Sequence, residues 1–309
     1  MLRPSCGLAS ARAGGSGTLR EVQGGRGAWA RLFEREPALF AAGLRATTLA
    51  AALWLSLEVD LRWAALPKGA VVSAAGLVVP TAWWSSPALL WSGRALLWGG
   101  AVIWLFGHAR TVRIAAGWAA AVGMLTLGSL YWEDLPWFRH KFVPPLWLLV
   151  LLAAAEHAPA PPGRAPRWVR EGAVFVLATF YAGAGLHKLL ASGWRWADGS
   201  ALQLWLWRLG DGDSVARAWA IADVRVAAVL ATTALLLELA AVLLVPLPRV
   251  RPWLALALVA MHVGIDQILH IDFRPMILLL IVILMPWPEW WQRLRARHGT
   301  GKSSARVRV

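Results

Sequence analysis

The sequence predicts an all-α, polytopic membrane protein of about eight transmembrane helices, with both termini cytoplasmic. Three observations predict it. First, 58% of the 309 residues are hydrophobic and only 16% are charged, against about a quarter charged in an ordinary soluble domain. Second, apolar runs of near-membrane length recur from residue 38 to residue 290. Third, the net charge of +14 is gathered between alternate runs. Such apolar content excludes a disordered chain. A basic nucleic-acid binder needs its charge on one soluble face, and no such face is available here. The single cysteine, Cys6, excludes a disulfide framework, a CxxC redox pair and a cysteine-based zinc site.

Residues 1–37 read as a basic tail. The first 27 hold seven glycines and no apolar periodicity, so they are expected to be disordered or an over-extended start. They lack the apolar h-region of a signal peptide. Spans are expected at 38–57, 88–106, 114–131, 142–157, 172–190, 224–245, 252–271 and 275–290. A full crossing takes about 20 residues. The fourth and eighth runs are short and proline-bearing (Pro144-Pro145; Pro275, Pro286, Pro288), so either a crossing or a re-entrant segment fits them. The long stretch 191–222 holds a Leu/Trp run, Leu202 to Leu209, between Asp-Gly boundaries. It is expected to lie on the outer interface, as a structural lid or a substrate gate. Residues 291–309 form a second basic tail. No convincing internal repeat is visible.

Charge orients these spans. With eight crossings, one side carries 19 Lys/Arg and the other nine. The short loops around Arg110/Arg113, Arg164/Arg167/Arg170 and Arg249/Arg251 all fall on the richer side, which the positive-inside rule makes cytoplasmic. Many of the 22 tryptophans, including Trp194, Trp196, Trp287 and Trp290, cluster at span ends, where indole prefers the interface. The expected partners are membrane lipids, and no nucleic acid.

An ionisable side chain inside a span is costly and therefore a functional candidate. Lys188 stands out because the chain has 27 arginines and four lysines, and lysine can lose its proton when desolvated whereas arginine cannot. A neutral amine there can act as a general base. The alternative is that Lys188, at the outer end of the fifth span, snorkels to the interface. His262, Asp266 and His270 recur at i, i+4 and i+8 on the seventh span, along one stripe. A hydrogen-bonded interior face, a metal site and a proton relay all fit that spacing, and no metal is assigned. His140 opens the fourth span, and His187 adjoins Lys188 but points about 100° away. Arg45, Arg94 and Glu238 are further buried candidates; the arginines read as ion pairs or lipid-headgroup ligands, and Arg45–Glu238 is a conceivable pair. The span order puts His140, Lys188 and His270 in the outer half, with His262 deeper, as if around one outward-facing cavity.

The segment Phe180-Tyr181-Ala182-Gly183-Ala184-Gly185-Leu186-His187-Lys188-Leu189, followed by Trp194, Trp196, Asp198-Gly199 and Ala201-Leu202, resembles a signature of the HTTM family, the membrane domain shared with vitamin K-dependent gamma-carboxylase. The run Met261 to Ile265 through Phe273 and Met276 resembles a second motif of that family, and the stretch around Tyr131 and His140 a third. The resemblance spans roughly residues 38–290. It implies Lys188 as the base that deprotonates a reduced vitamin K or menaquinol, with His140 and His262 in supporting catalytic roles. Arg45, Asp266, His270 and Trp194 would line the substrate cavity. The chain departs from the family in having His187 where the carboxylase has a first lysine. It also ends shortly after Trp291, where the carboxylase continues into a large lumenal domain. The expected function is thus a quinol-dependent oxygenase or epoxidase. The alternatives are a non-catalytic lipid- or quinone-binding or scaffold protein, and a proton-coupled transporter built on the His262 stripe. The Arg- and Ala-rich, Lys-poor composition suggests a GC-rich genome and a bacterial inner membrane.

Overall fold

The computed structural model describes residues 35–59, 87–131, 138–158, 164–208, 214–287, 289–290 and 293–294. Helices occupy all eight expected positions: α1 (Ala38–Glu58), α2 (Pro87–Phe106), α3 (Arg110–Tyr131), α4 (Phe138–Ala155), α5 (Trp168–Ser192), α8 (Val224–Ala240), α9 (Arg251–Leu269) and α10 (Arg274–Leu284). Between α5 and α8 lie two short helices, α6 (Ser200–Arg208) and α7 (Val215–Ala222). Six helices are long and apolar enough to cross a membrane, and the two shorter apolar ones, Lys141–Ala155 and Arg274–Leu284, are the fourth and eighth runs. The protein is an all-α helical membrane bundle. Its large apolar side chains face outward as well as inward: Trp91, Phe106, Phe175, Leu190 and Trp253 are exposed, while Leu44, Leu97, Leu148, Leu177 and Leu279 are fully buried. An apolar outer surface of that kind suits lipid, where the interior is selected by packing and polar satisfaction rather than by apolarity.

One feature lies outside the expected fold class. Two three-residue strands, β1 (Arg35–Pro37) and β2 (Arg164–Pro166), pair antiparallel with Glu36 opposite Ala165. The ribbon is too short to alter the class, but it fixes topology. It places the entry to α1 and the α4–α5 connection at one end of the bundle, so α1 to α4 make an even number of passes. Arg251 pairs with Glu171 at the same end (2.7 Å), and Arg170 with Glu289 (3.0 Å). Thus α10 also returns the chain to the basic end. At the opposite end Lys141 of α4 meets Glu58 of α1 (3.4 Å). Both short helices carry the chain from one end of the bundle to the other, and neither turns back midway.

Local chemistry explains the helix limits. α9 and α10 each open on Arg-Pro, and proline is favoured at a first helical turn because its missing N–H needs no partner there. Pro144 and Pro145 fall inside α4, which starts four residues earlier than expected, at Phe138. Each proline leaves a carbonyl one turn earlier without its helical partner. Arg94, read from sequence as an ion-pair or headgroup residue, instead donates to the carbonyls of Ser56 (3.1 Å) and Val59 (2.5 Å) at the end of α1. It serves as a cap for otherwise orphaned acceptors.

Close backbone packing joins α2 to α3. A Cβ on Gly123 would lie 2.5 Å from the Leu97 nitrogen, and one on Gly100 2.8 Å from the Ala116 carbonyl oxygen. Only glycine lets the two backbones approach that far.

The described parts of the stretch 191–222 are structured. α5 ends at Ser192, and a 3-10 turn, Gly193–Asp198, follows it directly. Gly199 follows with φ +83, and a Cβ there would meet the Ala228 nitrogen at 2.3 Å. Both the positive φ and the contact demand glycine. α6 and α7 cap each other: Gln203 donates to the carbonyls of Ala220 and Ile221, and buried Arg217 donates to that of Leu206. Leu206, Ala220 and Ile268 form a small core of their own beneath this hairpin. Its other face is apolar and open, with Leu204, Trp207 and Trp219 all exposed, as an interfacial element requires.

Candidate functional site

The site is built on one face of α5. Tyr181, Gly185 and Lys188 are spaced i, i+4, i+7 and therefore share a helical face. Lys188 Nζ lies 2.5 Å from Glu238 Oε1 of α8. The Trp196 ring sits 5.1 Å from the same ammonium, within cation–π range. Gly185 makes the pairing possible: a Cβ there would come within 3.1 Å of the Glu238 Cβ and the Leu239 backbone. Glu238 is 7% exposed, and its second carboxylate oxygen, Oε2, has no hydrogen-bond partner.

Two turns toward the basic end, the Tyr181 hydroxyl lies 2.6 Å from His262 Nε2 of α9. Tyr181 is 2% exposed and His262 3%. Tyr181 is 13 residues from Trp168 and His262 11 from Arg251, which puts both about 16–20 Å from the basic end, near mid-bundle. His262 stacks on Phe273 (4.5 Å between centroids, 28° between planes). Phe273 in turn lies under Lys141 Nζ (5.5 Å). His262 Nδ1 has no partner.

Lys188 and His262 are therefore brought to one face of α5, with Tyr181 and Glu238 as their partners. α5 ends at Ser192, four residues past Lys188, where Gly193 (φ 57, ψ −149) caps it. The Lys188 side chain is 23% exposed, and its charge is met by Glu238. The Arg45–Glu238 pair does not form. Arg45 pairs with Glu156 (2.5 Å), which also accepts from Trp104 Nε1 (3.1 Å) and Arg113 (3.3 Å). Since α1 starts at the basic end, its eighth residue lies only about 10 Å in, far from Lys188.

The His262 stripe ends early. Asp266, one turn on, is half-buried. His270 is exposed and takes the left-handed conformation (φ 53, ψ 33) that stops α9 at Leu269, so it leaves the helical face. No group of three or more His, Cys, Asp or Glu able to hold a metal occurs among the described residues. Trp194 is 72% exposed; Trp196 holds the place beside Lys188. His187 is exposed, on the face away from Glu238. His140 lies in the first turn of α4, and its side chain is outside the described residues.

Sequence reasoning gave no role to Tyr181, Trp196, Lys141 or Glu156. Tyr181 carried a usable signal, as one of two tyrosines in the chain placed seven residues before Lys188. Glu156 carried one as well, because it falls within the expected fourth span, 142–157, as an ionisable side chain.

Beyond the spans, Asp272 receives three bonds from Arg274, from its backbone nitrogen, Nε and Nη2 (2.8, 2.9 and 2.8 Å). Those bonds hold the Asp272 carboxyl below the usual carboxylate range.

Comparison with known proteins finds no matching family model, no matching curated protein and no matching solved structure.

Proposed function

We propose that the protein is a membrane enzyme acting on a lipid-soluble quinol, with Lys188 as its base. The observation that carries this reading is Lys188 held inside the bundle against Glu238, on the face of α5 that also presents Tyr181 to His262. To act as a base, Nζ must first be neutral. Glu238 Oε1 is the group placed to take the ammonium proton, leaving an amine lone pair for a quinol hydroxyl. A Lys/Glu pair in low dielectric can exchange a proton in this way because the neutral pair avoids the cost of two buried charges. The HTTM resemblance supplies the rest of the proposal. The quinolate reacts with oxygen, one oxygen atom enters an epoxide, and the other leaves in water with the two quinol hydrogens. The membrane proposed is a bacterial inner membrane.

The test is reconstitution with reduced menaquinone and oxygen, with product analysis for wild type, Lys188→Ala and Lys188→Arg. We expect epoxide or oxidised quinone from wild type only, because arginine keeps the charge but cannot serve as the base. Wild-type turnover no higher than that of Lys188→Ala sinks the proposal.

A second reading has its own observation. The same 2.5 Å pairing neutralises Lys188, which suits a non-catalytic quinone- or lipid-binding protein. That protein would bind quinone in the reconstitution without converting it.

A further inference from the structure

The two unpaired polar atoms of the α5–α8–α9 interior differ in kind. Glu238 Oε2 is a carboxylate oxygen, so it accepts. His262 Nδ1 is a donor in one of the two tautomers. Tyr181 is buried, and its hydroxyl has the His262 ring as its hydrogen-bond partner. In the tautomer that gives the Tyr181 O–H an acceptor, it donates to Nε2 and the imidazole proton sits on Nδ1. An acceptor and a donor, both more than nine-tenths buried and both without a partner, are each costly when left unmade. A hydroxyl group can satisfy either atom. A carbonyl can satisfy only the donor.

We infer that Glu238 makes this site selective for the reduced, hydroxyl-bearing form of its ligand, by accepting the ligand O–H at Oε2 while Oε1 holds Lys188. The inference rests on the quinol reading of the site and adds a specificity residue to it. The geometry favours the acceptor role. The Lys188 ammonium occupies one carboxylate oxygen, Gly185 brings the α5 backbone against the Glu238 Cβ, and Oε2 is left buried without a hydrogen-bond partner. A quinone presents only lone pairs to that oxygen, and acceptor against acceptor is repulsive. A hydroquinone presents a proton, and a hydrogen bond to a charged acceptor contributes about 1.5–3 kcal/mol, or about 10- to 100-fold in affinity.

The substitution Glu238→Gln gives the distinctive signature. The amide oxygen can still accept from Lys188, so the pairing geometry survives. The amide nitrogen then stands where Oε2 stood and turns an acceptor into a donor. The preference should be lost, because the amide donor can be met by a quinone carbonyl and by a quinol hydroxyl oxygen alike. A residue that only held α5 to α8 would leave the quinol-to-quinone ratio unchanged.

The experiment uses the full chain in lipid nanodiscs without oxygen, so that nothing turns over. Three probes are titrated by tryptophan quenching: a short-chain naphthoquinol, its quinone and its dimethyl ether. Wild type should bind the quinol at least about tenfold more tightly than either the quinone or the ether. Glu238→Gln, checked for helicity and monodispersity, should bind the quinone, the quinol and the ether about equally. Equal binding of quinol and ether by wild type overturns the inference while leaving a quinone-class site in place, and this comparison decides the matter even where Glu238→Gln does not fold. A folded Glu238→Gln that keeps the wild-type preference overturns it too. If wild type binds none of the three probes, the quinol reading itself fails and the inference fails with it.

Discussion

The α2–α3 hairpin and the α5–α8–α9 interior solve the same problem of holding helices together in a surrounding that is itself apolar, and they do so by opposite means. Residues 87–131 contain no acidic residue. That hairpin is held by backbone approach at Gly100 and Gly123, where a Cβ would come within 2.8 and 2.5 Å of facing backbone atoms. The α5–α8–α9 interior instead carries an ion pair, a Tyr–His hydrogen bond and two unpaired polar atoms. Close glycine packing yields dispersion energy without desolvating any charge. A buried ion pair yields little net stability, because desolvation offsets most of its Coulomb attraction. The difference teaches that the glycine hairpin is scaffold, while the polar interior retains costly groups that scaffolding alone does not require.

The largest effect should come from breaking the ion pair on one side. Glu238→Leu leaves Lys188 charged and uncompensated and should destabilise the fold by about 3–5 kcal/mol, measured as reversible unfolding in mixed micelles. Replacing both partners, as Lys188→Met with Glu238→Leu, should recover most of that loss. If Glu238→Leu alone is harmless, the contrast between the two regions disappears. Next in size, Gly123→Leu should cost about 1–3 kcal/mol by overpacking and should separate α2 from α3 without disturbing Lys188. Comparable turnover loss in Gly123→Leu and in Lys188→Ala would show that the two regions are not functionally distinct. Smaller still, Tyr181→Phe should cost about 1 kcal/mol, and it frees the His262 tautomer, which nitrogen NMR of the imidazole would report.

The smallest effect belongs to Asp272, outside both regions. Hydrogen bonds from Arg274 lower its folded pKa. Its contribution is thus complete above the unfolded carboxylate value and is lost as pH falls through the lowered folded one. Asp272→Asn should remove that part of the acid limb of a stability–pH profile, weakly and in a salt-dependent way, because the pair is partly exposed, Arg274 more than Asp272.

How much of this was visible beforehand varies with the range of the interaction. Span positions and the short fourth and eighth runs follow from local composition, and the helices lie where those patterns put them. Element ends were less legible. α5 overruns its expected limit by two residues and stops where Gly193 takes a positive φ of 57°. α9 stops before His270 because that residue takes a left-handed conformation, which an i, i+4, i+8 count does not register. Partners were least legible. Lys188 and Glu238 are both apparent as intramembrane charges, but so is Arg45, and nothing along the chain says which cation meets which acid.

The amino-acid sequence alone determined that this is a helical membrane protein, where its helices run, which loops carry its +14, and that Lys188 is a rare titratable cation within a span. Those properties depend on transfer of each segment from water to lipid, which is additive along the chain. Tertiary structure alone decided that Glu156, at the basic end, takes Arg45 and that Glu238, deep in the bundle, takes Lys188. The reason is geometric: each pairing depends on the offset and rotation of two antiparallel helices, set by close contacts such as Gly185 on Glu238 and Gly199 on Ala228, and no single segment encodes both sides of such a contact.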